Sequence, residues 1–430
     1  MSVDSLGSRC SRITGFYNIP LEERLKIVKE WAQLSDDEVA TLLNFGNLGR
    51  KTAETMIENV IGAMSYPFAI AVNFRINSRD YLVPMVLEEP SVVAAASNAA
   101  RMLRENGGIE AEAARQIMIG QVYMMKVPSP HYASMKILRH KYELLDIANS
   151  TNKTLVSMGG GAKDVEVRVI ETRRGPALAI NLMVDVVDAM GANTVNTMAE
   201  AIAPYLEKLV GGEARLRIVS NYAIYRVARA WVRISPESIG GRDVAEKIVD
   251  ASAIAEADPF RAVTHNKGVL NGIIAIALAT AQDHRAIEAG AHAYASRDGI
   301  YKPLSRWDLD SEGYLVGFLE IPLQVGVVGG SVKTHPVAQI ALKIMGVKTA
   351  RELAEIMAAV GLAQNFAALR ALVTTGIQSG HMKLHARNLA ILAGAKGELV
   401  DIITEQMIKN GKISFDYAVQ LLKNYERTST

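Results

Sequence analysis

Cysteine is nearly absent from this chain of 430 residues, which carries only Cys10. A single cysteine excludes a disulfide framework within the chain and is typical of a reducing compartment, so we expect a cytoplasmic protein. Because Cys10 lies in a polar N-terminal segment, it is a poor candidate for a catalytic nucleophile.

Long apolar runs and a surplus of charge of one sign are also missing. The longest apolar run, at 268–282, is too short to cross a bilayer, and residues 1–20 lack the apolar core of a signal peptide. The formal net charge is +2, and the basic residues are dispersed. We therefore expect neither a membrane nor a nucleic acid as a partner.

The remaining composition is that of an ordinary globular protein, with 49% hydrophobic and 21% charged residues. The pattern along the chain predicts an α+β fold. Helical spacing covers 20–62, and an alternating strand pair follows with its turn near Asn77 and Ser78. Strands then alternate with helices over 115–222, which predicts a compact α+β insertion.

Three domains are predicted from these changes of pattern and from the chain length. Gly376 and Gly380 bracket a short link into a C-terminal helical segment that can move as a unit. The predicted ranges are 1–114 with 223–375 for the large domain, 115–222 for the small domain, and 376–430 for the C-terminal flap.

Two adjacent carboxylates, Glu88 and Glu89, follow the apolar run LVPMVL and precede a proline. Apolar surroundings remove hydration from a carboxylate and favour the neutral acid, which can donate a proton to a carbonyl oxygen. The proline holds the backbone of Glu89 away from helix, so the two side chains should face opposite ways. One of them at most enters a site; two solvated glutamates at a strand end are the alternative.

A second group of candidates lies around the start of an apolar helix. Lys267 and Asn271 are four residues apart and share one face, while Arg261 and His265 precede them. The dipole is unfavourable for a lysine at this end; an exposed, snorkelling lysine is the alternative. In one straight helix Asp283 would lie roughly 24 Å from Lys267. The two share a site only if the segment breaks or if Asp283 comes from a second subunit.

The segment VDVVDAMGANTVNTMAEA predicts a strand, a loop with Gly191, and a helix capped near Asn193 or Thr194. Free N–H groups and the positive end of the dipole make such a helix start a cradle for a pyrophosphate. The G-x-G-x-x-G fingerprint occurs nowhere in the chain, so a Rossmann domain is not predicted. A plain connection between strand and helix is the alternative.

His381 and His385 are also four residues apart, a spacing that zinc could use. No acidic residue or cysteine follows at ligand spacing, so we predict no metal site. A histidine just after a glycine link is better suited to donate a proton from a closing flap.

Six segments in this order resemble the hydroxymethylglutaryl-CoA reductase family, specifically its class II form, which lacks a membrane anchor. They cover nearly the whole chain, and the lysine of THNKG is arranged as in class II. The segments are ENVIG at 58–62, EEPSVVAAAS at 88–97, DAMGANTVNTMAEA at 188–201, THNKG at 264–268, VGGSVKTHP at 328–336 and GHMKLHARN at 380–388.

The resemblance implies reduction of 3-hydroxy-3-methylglutaryl-CoA to mevalonate and free CoA, with two hydrides from NADH or NADPH. It implies a large domain with a central helix, an inserted ferredoxin-like dinucleotide-binding domain, and a mobile C-terminal helical flap. Sites in the family form between two subunits of a tight dimer, so a homodimer or a multiple of dimers is expected.

The same resemblance implies roles for individual residues. The catalytic residues it implies are Glu89, Lys267, Asp283 and His381. Positions that hold the hydroxymethylglutaryl group are matched by Ser91, Arg261 and Asn271, and a site asparagine of the family is matched by Asn221. The dinucleotide-binding loop is matched by Asp188, Ala189, Met190, Gly191, Ala192, Asn193 and Thr194.

Asn152 departs from one version of the family pattern. Class II enzymes selective for NADH can carry an aspartate there, whose charge repels the 2′-phosphate of NADPH. Asn152 is neutral and lies beside Lys153, and Asp146 is six residues away. NADPH is therefore not excluded, and the preference between the two dinucleotides stays open.

The direction of the reaction is open as well. Mevalonate formation for isoprenoids is the default, and oxidative breakdown of mevalonate is the alternative. A CoA-thioester enzyme without redox chemistry would need the acid and the histidine but not the loop at 188–194. A binding protein that had lost activity would be expected to lack a catalytic residue, and all four are present.

Overall fold

The structure is a computed structural model that describes residues 10–44, 48–374 and 376–428, apart from the side chains of 377–384 and 426–428. Its first part is helical. Ser35 begins the second helix with a capping box, in which its hydroxyl and the Glu38 carboxylate each accept from the other residue's N–H. The elements are the 3-10 helix Phe16–Asn18, α1 Leu21–Ala32, α2 Asp36–Leu43 and α3 Arg50–Met56.

The helical stretch predicted over 20–62 ends early, at Met56. Residues 57–67 belong to no helix or strand. Asn59 takes a left-handed φ of 59°, which a right-handed helix does not accommodate. Ile57, Ile61 and Met64 in this segment are exposed.

An antiparallel strand pair follows, as predicted. Asn77 and Ser78 at its turn have φ values of 48° and 63°, the left-handed pair that a tight two-residue hairpin turn requires. The second strand is almost wholly buried, and the chain leaves the core just before Glu88. The elements are β1 Phe68–Ile76, β2 Arg79–Val86, α4 Val92–Arg104 and β3 Glu110–Ala113.

A second sheet, together with its helices, forms a ferredoxin-like unit. Three helical segments connect its first and second strands, and one long helix connects its third and fourth strands. Its order along the chain is βαββαβ, all strand pairs are antiparallel, and the strands lie in the order β5-β6-β4-β7. The unit has its own apolar cluster. Its elements are β4 Ile117–Met125, α5 Pro130–Arg139, α6 Lys141–Ser150, α7 Lys153–Ser157, β5 Gly161–Thr172, β6 Gly175–Asp185, α8 Ala192–Val210 and β7 Glu213–Ser220.

The largest apolar cluster surrounds the central sheet, whose strand order is β3-β8-β10-β9. Two long helices, α10 and α14, pack closely against each other through glycines: a Cβ on Gly272 would lie 3.0 Å from Val360, and one on Gly361 would lie 2.8 Å from Ile273. The elements are β8 Val227–Ile234, the 3-10 helix Pro236–Ile239, α9 Arg242–Ala257, α10 Pro259–Ala279, α11 His284–Ala295, β9 Ser305–Leu309, β10 Leu315–Pro322, α12 Gly330–Thr334, α13 Pro336–Met345 and α14 Ala350–Val373.

Among the described residues, α14 is the one helix long and apolar enough to cross a membrane, and 67% of its most apolar window is buried inside the fold. Three further helices at the C-terminal end pack on one another around a small apolar cluster of their own. They are α15 Ile377–Leu392, α16 Glu398–Lys409 and α17 Phe415–Thr428. The predicted α+β class, with a ferredoxin-like unit inserted in a larger helical frame and helices at the C-terminal end, is confirmed.

Candidate active site

An ion pair joins two of the residues singled out in the sequence, 178 positions apart. Lys267 Nζ on α10 donates to Glu89 Oε2 at 3.0 Å. Glu89 lies in the link between β2 and α4, where the adjacent Glu88 is more exposed. The structure therefore brings Glu89 to the lysine.

The pair is not enclosed by the described residues of one chain. The side chain of Lys267 is 59% exposed and that of Glu89 38%. The apolar run before them predicts drier surroundings, but its buried residues belong to β2 and the glutamates lie beyond the end of that strand. A pocket that excludes solvent from this pair therefore requires a further protein surface.

The other expected substrate residues lie near the same two elements. Ser91 begins α4 with a left-handed φ of 77°, directly after Glu89 and Pro90. Both Ser91 and Glu89 line an open groove of 1770 Å³. Arg261 and Asn271 are half-buried on the helix that carries Lys267, and burial lowers the pKa of the Arg261 guanidinium.

Asp283 lies at the far end of that helix. A break in the segment, one of the two options left open by the sequence, does occur: α10 ends at Ala279, Ala281 takes a φ of 51°, and Asp283 begins α11. The break comes too late in the chain to bring Asp283 to Lys267, because Ala279 is roughly 18 Å along the helix from Lys267. Asp283 instead accepts from the Ala286 N–H at 3.1 Å and pairs with Arg285.

Asn221 lies beside the Asp283 end of the molecule rather than beside Lys267. Its main-chain oxygen accepts from Gln324 Nε2 at 3.4 Å, and the same nitrogen donates to the Ala286 oxygen on α11 at 2.6 Å. The expected substrate residues of one chain are therefore divided between two places.

The loop at 188–194 leads into α8, a helix of 19 residues. The cap is Gly191, slightly earlier than the predicted Asn193 or Thr194. Gly191 has a φ of 98°, and a Cβ on it would lie 2.5 Å from Val186. By helix geometry the first N–H groups of α8, those of Ala192, Asn193 and Thr194, have no partner within the helix.

Two further features define this loop. Val187 takes a φ of 53°, a strained conformation for a β-branched residue. The Asp188 carboxylate accepts from the Ala350 N–H at 2.9 Å, so it caps α14. The close backbone and the open helix start fit a pyrophosphate group.

Asn152 lies at the edge of the same unit. Its side chain accepts from the Leu155 N–H at 2.9 Å and caps α7. Gly160, which follows α7, packs against the end of β6: a Cβ on it would lie 2.7 Å from the Asp185 oxygen. This contact places α7 near the strand that runs into the 188–194 loop.

A series of hydrogen bonds between buried polar side chains starts on α10, the helix that carries Lys267. It was not predicted from the sequence. The Ser305 hydroxyl donates to Asn365 Oδ1 at 3.0 Å, so the His265 Nε2–H must donate to Ser305 Oγ, at 2.7 Å. Burial, with Arg261 nearby, lowers the pKa of His265 to about 4. The only signal in the sequence is a polar pair, His265 and Asn266, on an otherwise apolar face.

The expected proton donor, His381, has its backbone in α15. Its side chain lies outside the described residues. Within the part of the chain that the structure describes, no group of three or more histidine, cysteine or acidic side chains could hold a metal ion.

Comparisons with known proteins identify the family. The model of the family described as hydroxymethylglutaryl-coenzyme A reductase matches residues 20–386. The 3-hydroxy-3-methylglutaryl-coenzyme A reductase of Archaeoglobus fulgidus is 56% identical over 96% of this chain and 94% of that protein. A probable reductase of the same name from Borreliella burgdorferi is 35% identical over 98% of each chain.

Solved structures agree. A 3-hydroxy-3-methylglutaryl-coenzyme A reductase from Streptococcus pneumoniae superposes with a TM-score of 0.82 at 44% identity, over 96% of this chain and 99% of the other. A class II reductase from the same organism, bound to NADPH in open conformations, superposes with a TM-score of 0.80 at 44% identity, over 95% and 100% of the two chains. The chain belongs to the hydroxymethylglutaryl-coenzyme A reductase family, in its class II form.

Proposed function

We propose that Glu89, Lys267, Asp283 and His381 are the catalytic residues of this enzyme. As a member of its family, the chain reduces 3-hydroxy-3-methylglutaryl-CoA to mevalonate and CoA with NADH or NADPH. The contact of 3.0 Å between Lys267 Nζ and Glu89 is the observation that carries the assignment of the site.

Lys267 stabilises the charge that develops on the substrate. Reduction of a thioester carbonyl places negative charge on its oxygen, and a fixed ammonium group opposite that oxygen lowers the barrier. The dinucleotide, when bound, supplies the hydrides. In the second reduction Glu89 acts as a neutral acid: it first takes up a proton from solvent, and from its place beside the ammonium it gives that proton to the oxygen of the aldehyde.

His381 protonates the CoA thiolate as it leaves. Its position in α15, just after the Gly376 link, suits a group that is carried to the site by the C-terminal helices. Ser91, Arg261 and Asn271 hold the hydroxymethylglutaryl group, and the guanidinium of Arg261 is matched to its carboxylate. Asn221 contributes to the same substrate site from the side on which Asp283 lies.

The loop at 188–194 and Asn152 hold the dinucleotide. The N–H groups at the start of α8 bind the pyrophosphate, and the missing side chain of Gly191 lets it approach the backbone. Because Asn152 carries no charge, it does not repel a 2′-phosphate.

A homodimer completes the site. Asp283 and Lys267 are too far apart in one chain to act in one site. An apolar segment is also left uncovered: Ile57 is 65%, Met64 81% and Ile61 fully exposed. A second copy that covers this segment would enclose the Glu89–Lys267 pair and bring its own Asp283 to it.

The separate apolar clusters support domains at 1–114 with 223–375, 115–222 and 376–430, and the cytoplasm remains the proposed location.

Steady-state kinetics tests the reaction. The enzyme is given the thioester with NADH or with NADPH, and absorbance is followed at 340 nm. Thioester-dependent oxidation of either dinucleotide is expected. Thioester consumption without any absorbance change would instead favour a CoA-thioester enzyme without redox chemistry.

Mixed dimers test the shared site. Lys267→Ala and Asp283→Ala chains are each expected to be inactive, and a heterodimer purified through two different tags keeps one intact site of two. It should recover about half of the parent activity if Lys267 and Asp283 act across the interface. An inactive heterodimer would place both residues of a site in one chain.

A further inference from the structure

Arg226 is almost completely buried, with 1% of its surface exposed, between β7 and β8. Its guanidinium donates to Gln116 Oε1 at 3.0 and 2.5 Å, and to the main-chain oxygens of Met190 at 2.9 Å and Val325 at 2.5 Å. The Ala189 oxygen lies at 3.5 Å. Two of these carbonyl groups belong to the 188–194 loop.

Both connections between the ferredoxin-like unit and the central sheet meet at this arginine. One connection, from β7 to β8, carries Arg226 itself; the other, from β3 to β4, carries Gln116. Gln116 is buried as well, and its main-chain oxygen accepts from the Val186 N–H at 3.0 Å, just before the loop. The arginine therefore ties the loop to the frame that holds the unit.

The strip at 325–328 supports the loop from the other side. Val327 donates its N–H to the Asp188 oxygen at 2.9 Å, and Gln282 clasps Gly326 by two hydrogen bonds of 2.8 and 2.9 Å. A Cβ on Gly326 would lie 2.4 Å from the Met190 nitrogen. The loop is thus clamped between this strip and the guanidinium.

Within the described part of the chain, the acceptors of this buried cation are amide or peptide oxygens rather than carboxylates. Burial lowers the pKa of Arg226 to about 9, against a smaller opposing effect of Asp185. A buried charge of this kind is unfavourable for stability by itself. Its planar fork, however, fixes the positions of the carbonyl groups to which it donates. Since a trans peptide is planar, the Met190 carbonyl that points at Arg226 directs the Gly191 N–H to the opposite side.

We propose that Arg226 is a positioning residue for dinucleotide binding: it orients the Met190–Gly191 peptide so that the N–H groups at the start of α8 face the pyrophosphate. The inference rests on the proposed role of the 188–194 loop. It deepens that role by naming a residue that touches neither substrate nor dinucleotide.

The test uses Arg226→Lys and Arg226→Met in the full-length enzyme, with Arg229→Met as the matched control. Arg229 lies on the adjacent strand and pairs with Glu320 at 2.7 Å, away from the loop. The Kd for NADPH is measured by titration calorimetry, and the KM for the thioester at saturating NADPH. A lysine keeps the charge but not the fork, so its Kd should rise about tenfold with a thioester KM within about twofold.

The methionine variant should bind NADPH more weakly still, unless the unpaired acceptors prevent folding; the lysine variant then decides alone. A folded Arg226→Lys enzyme with the parent Kd for NADPH would overturn the proposal. So would an equal rise of the thioester KM, since a general structural role has that effect. Failure of the parent enzyme to bind NADPH would instead contradict the role of the loop itself.

Discussion

Replacing Lys267 with alanine should separate catalysis from stability. The ion pair with Glu89 is partly exposed, at 59% and 38% for the two side chains. Pairs of this kind contribute about 0–1 kcal/mol to the free energy of unfolding, because solvent screens them. Loss of a preorganised charge opposite an oxyanion lowers kcat by about 10²–10³, which is roughly 2.7–4 kcal/mol of barrier. The expected loss of activity is therefore far larger than the loss of stability.

The assay compares kcat, from NADPH oxidation at 340 nm, with the midpoint of thermal unfolding. The midpoint should move by less than about 4 °C, as expected for 1 kcal/mol in a domain of this size. Lys247→Ala is the matched control, because Lys247 also pairs with a carboxylate, Asp243 at 2.6 Å, on the surface of a helix. It should leave both quantities near those of the parent.

Two results would refute the reasoning. A Lys267→Ala enzyme that keeps kcat within tenfold of the parent would show that the ammonium group is not the main stabiliser of the oxyanion. A variant whose activity falls only in proportion to its folded fraction would show that Lys267 acts through stability.

Three further predictions concern other residues. His381→Ala should impair thioester reduction far more than mevaldehyde reduction, because only the thioester releases a thiolate; equal losses would contradict its role. Asn152→Asp should fold, since aspartate also caps a helix, and should raise the NADH to NADPH ratio of kcat/KM about tenfold; an unchanged ratio would remove Asn152 from the dinucleotide site. Burial and Arg261 hold the pKa of His265 near 4 in the folded enzyme, against 6.5 in the unfolded chain. The free energy of unfolding should therefore be highest above pH 6.5 and should fall by about 3 kcal/mol as the pH falls toward 4. His265→Gln keeps a donor for Ser305 and should have a weaker dependence of the unfolding midpoint on pH; equal slopes would show that His265 is not the source.

The local elements were accessible to sequence reasoning because their signals are local. The alternation around Asn77 and Ser78 predicts the hairpin, since both residues accept the left-handed φ of its turn. The start of α2 is likewise local, because the Ser35 hydroxyl accepts from the N–H of Glu38, three residues later. The end of α3 was missed, because the helical spacing continues past Met56 and the left-handed Asn59 gives only a weak signal.

The division of the site was not accessible in the same way. Spacing alone leaves two options for Asp283, and the helix break does occur, yet it falls at Ala279 and keeps the aspartate beside the strip at 325–328. Arg226 gives even less warning, as a single arginine in a connection between two strands is usually an exposed one. Only the packing of four separate segments reveals its contacts.

The sequence by itself determined the family through its motifs, a compact α+β insertion through its periodicity, and the residue types available for reduction, because motifs and periodicity are properties of neighbouring residues. Tertiary structure alone decided that Glu89 meets Lys267 across 178 positions, and that Asp283 does not join them in the same chain. It also decided that a buried guanidinium holds the 188–194 loop. Such contacts depend on how distant helices and strands pack, and no local pattern encodes that distance.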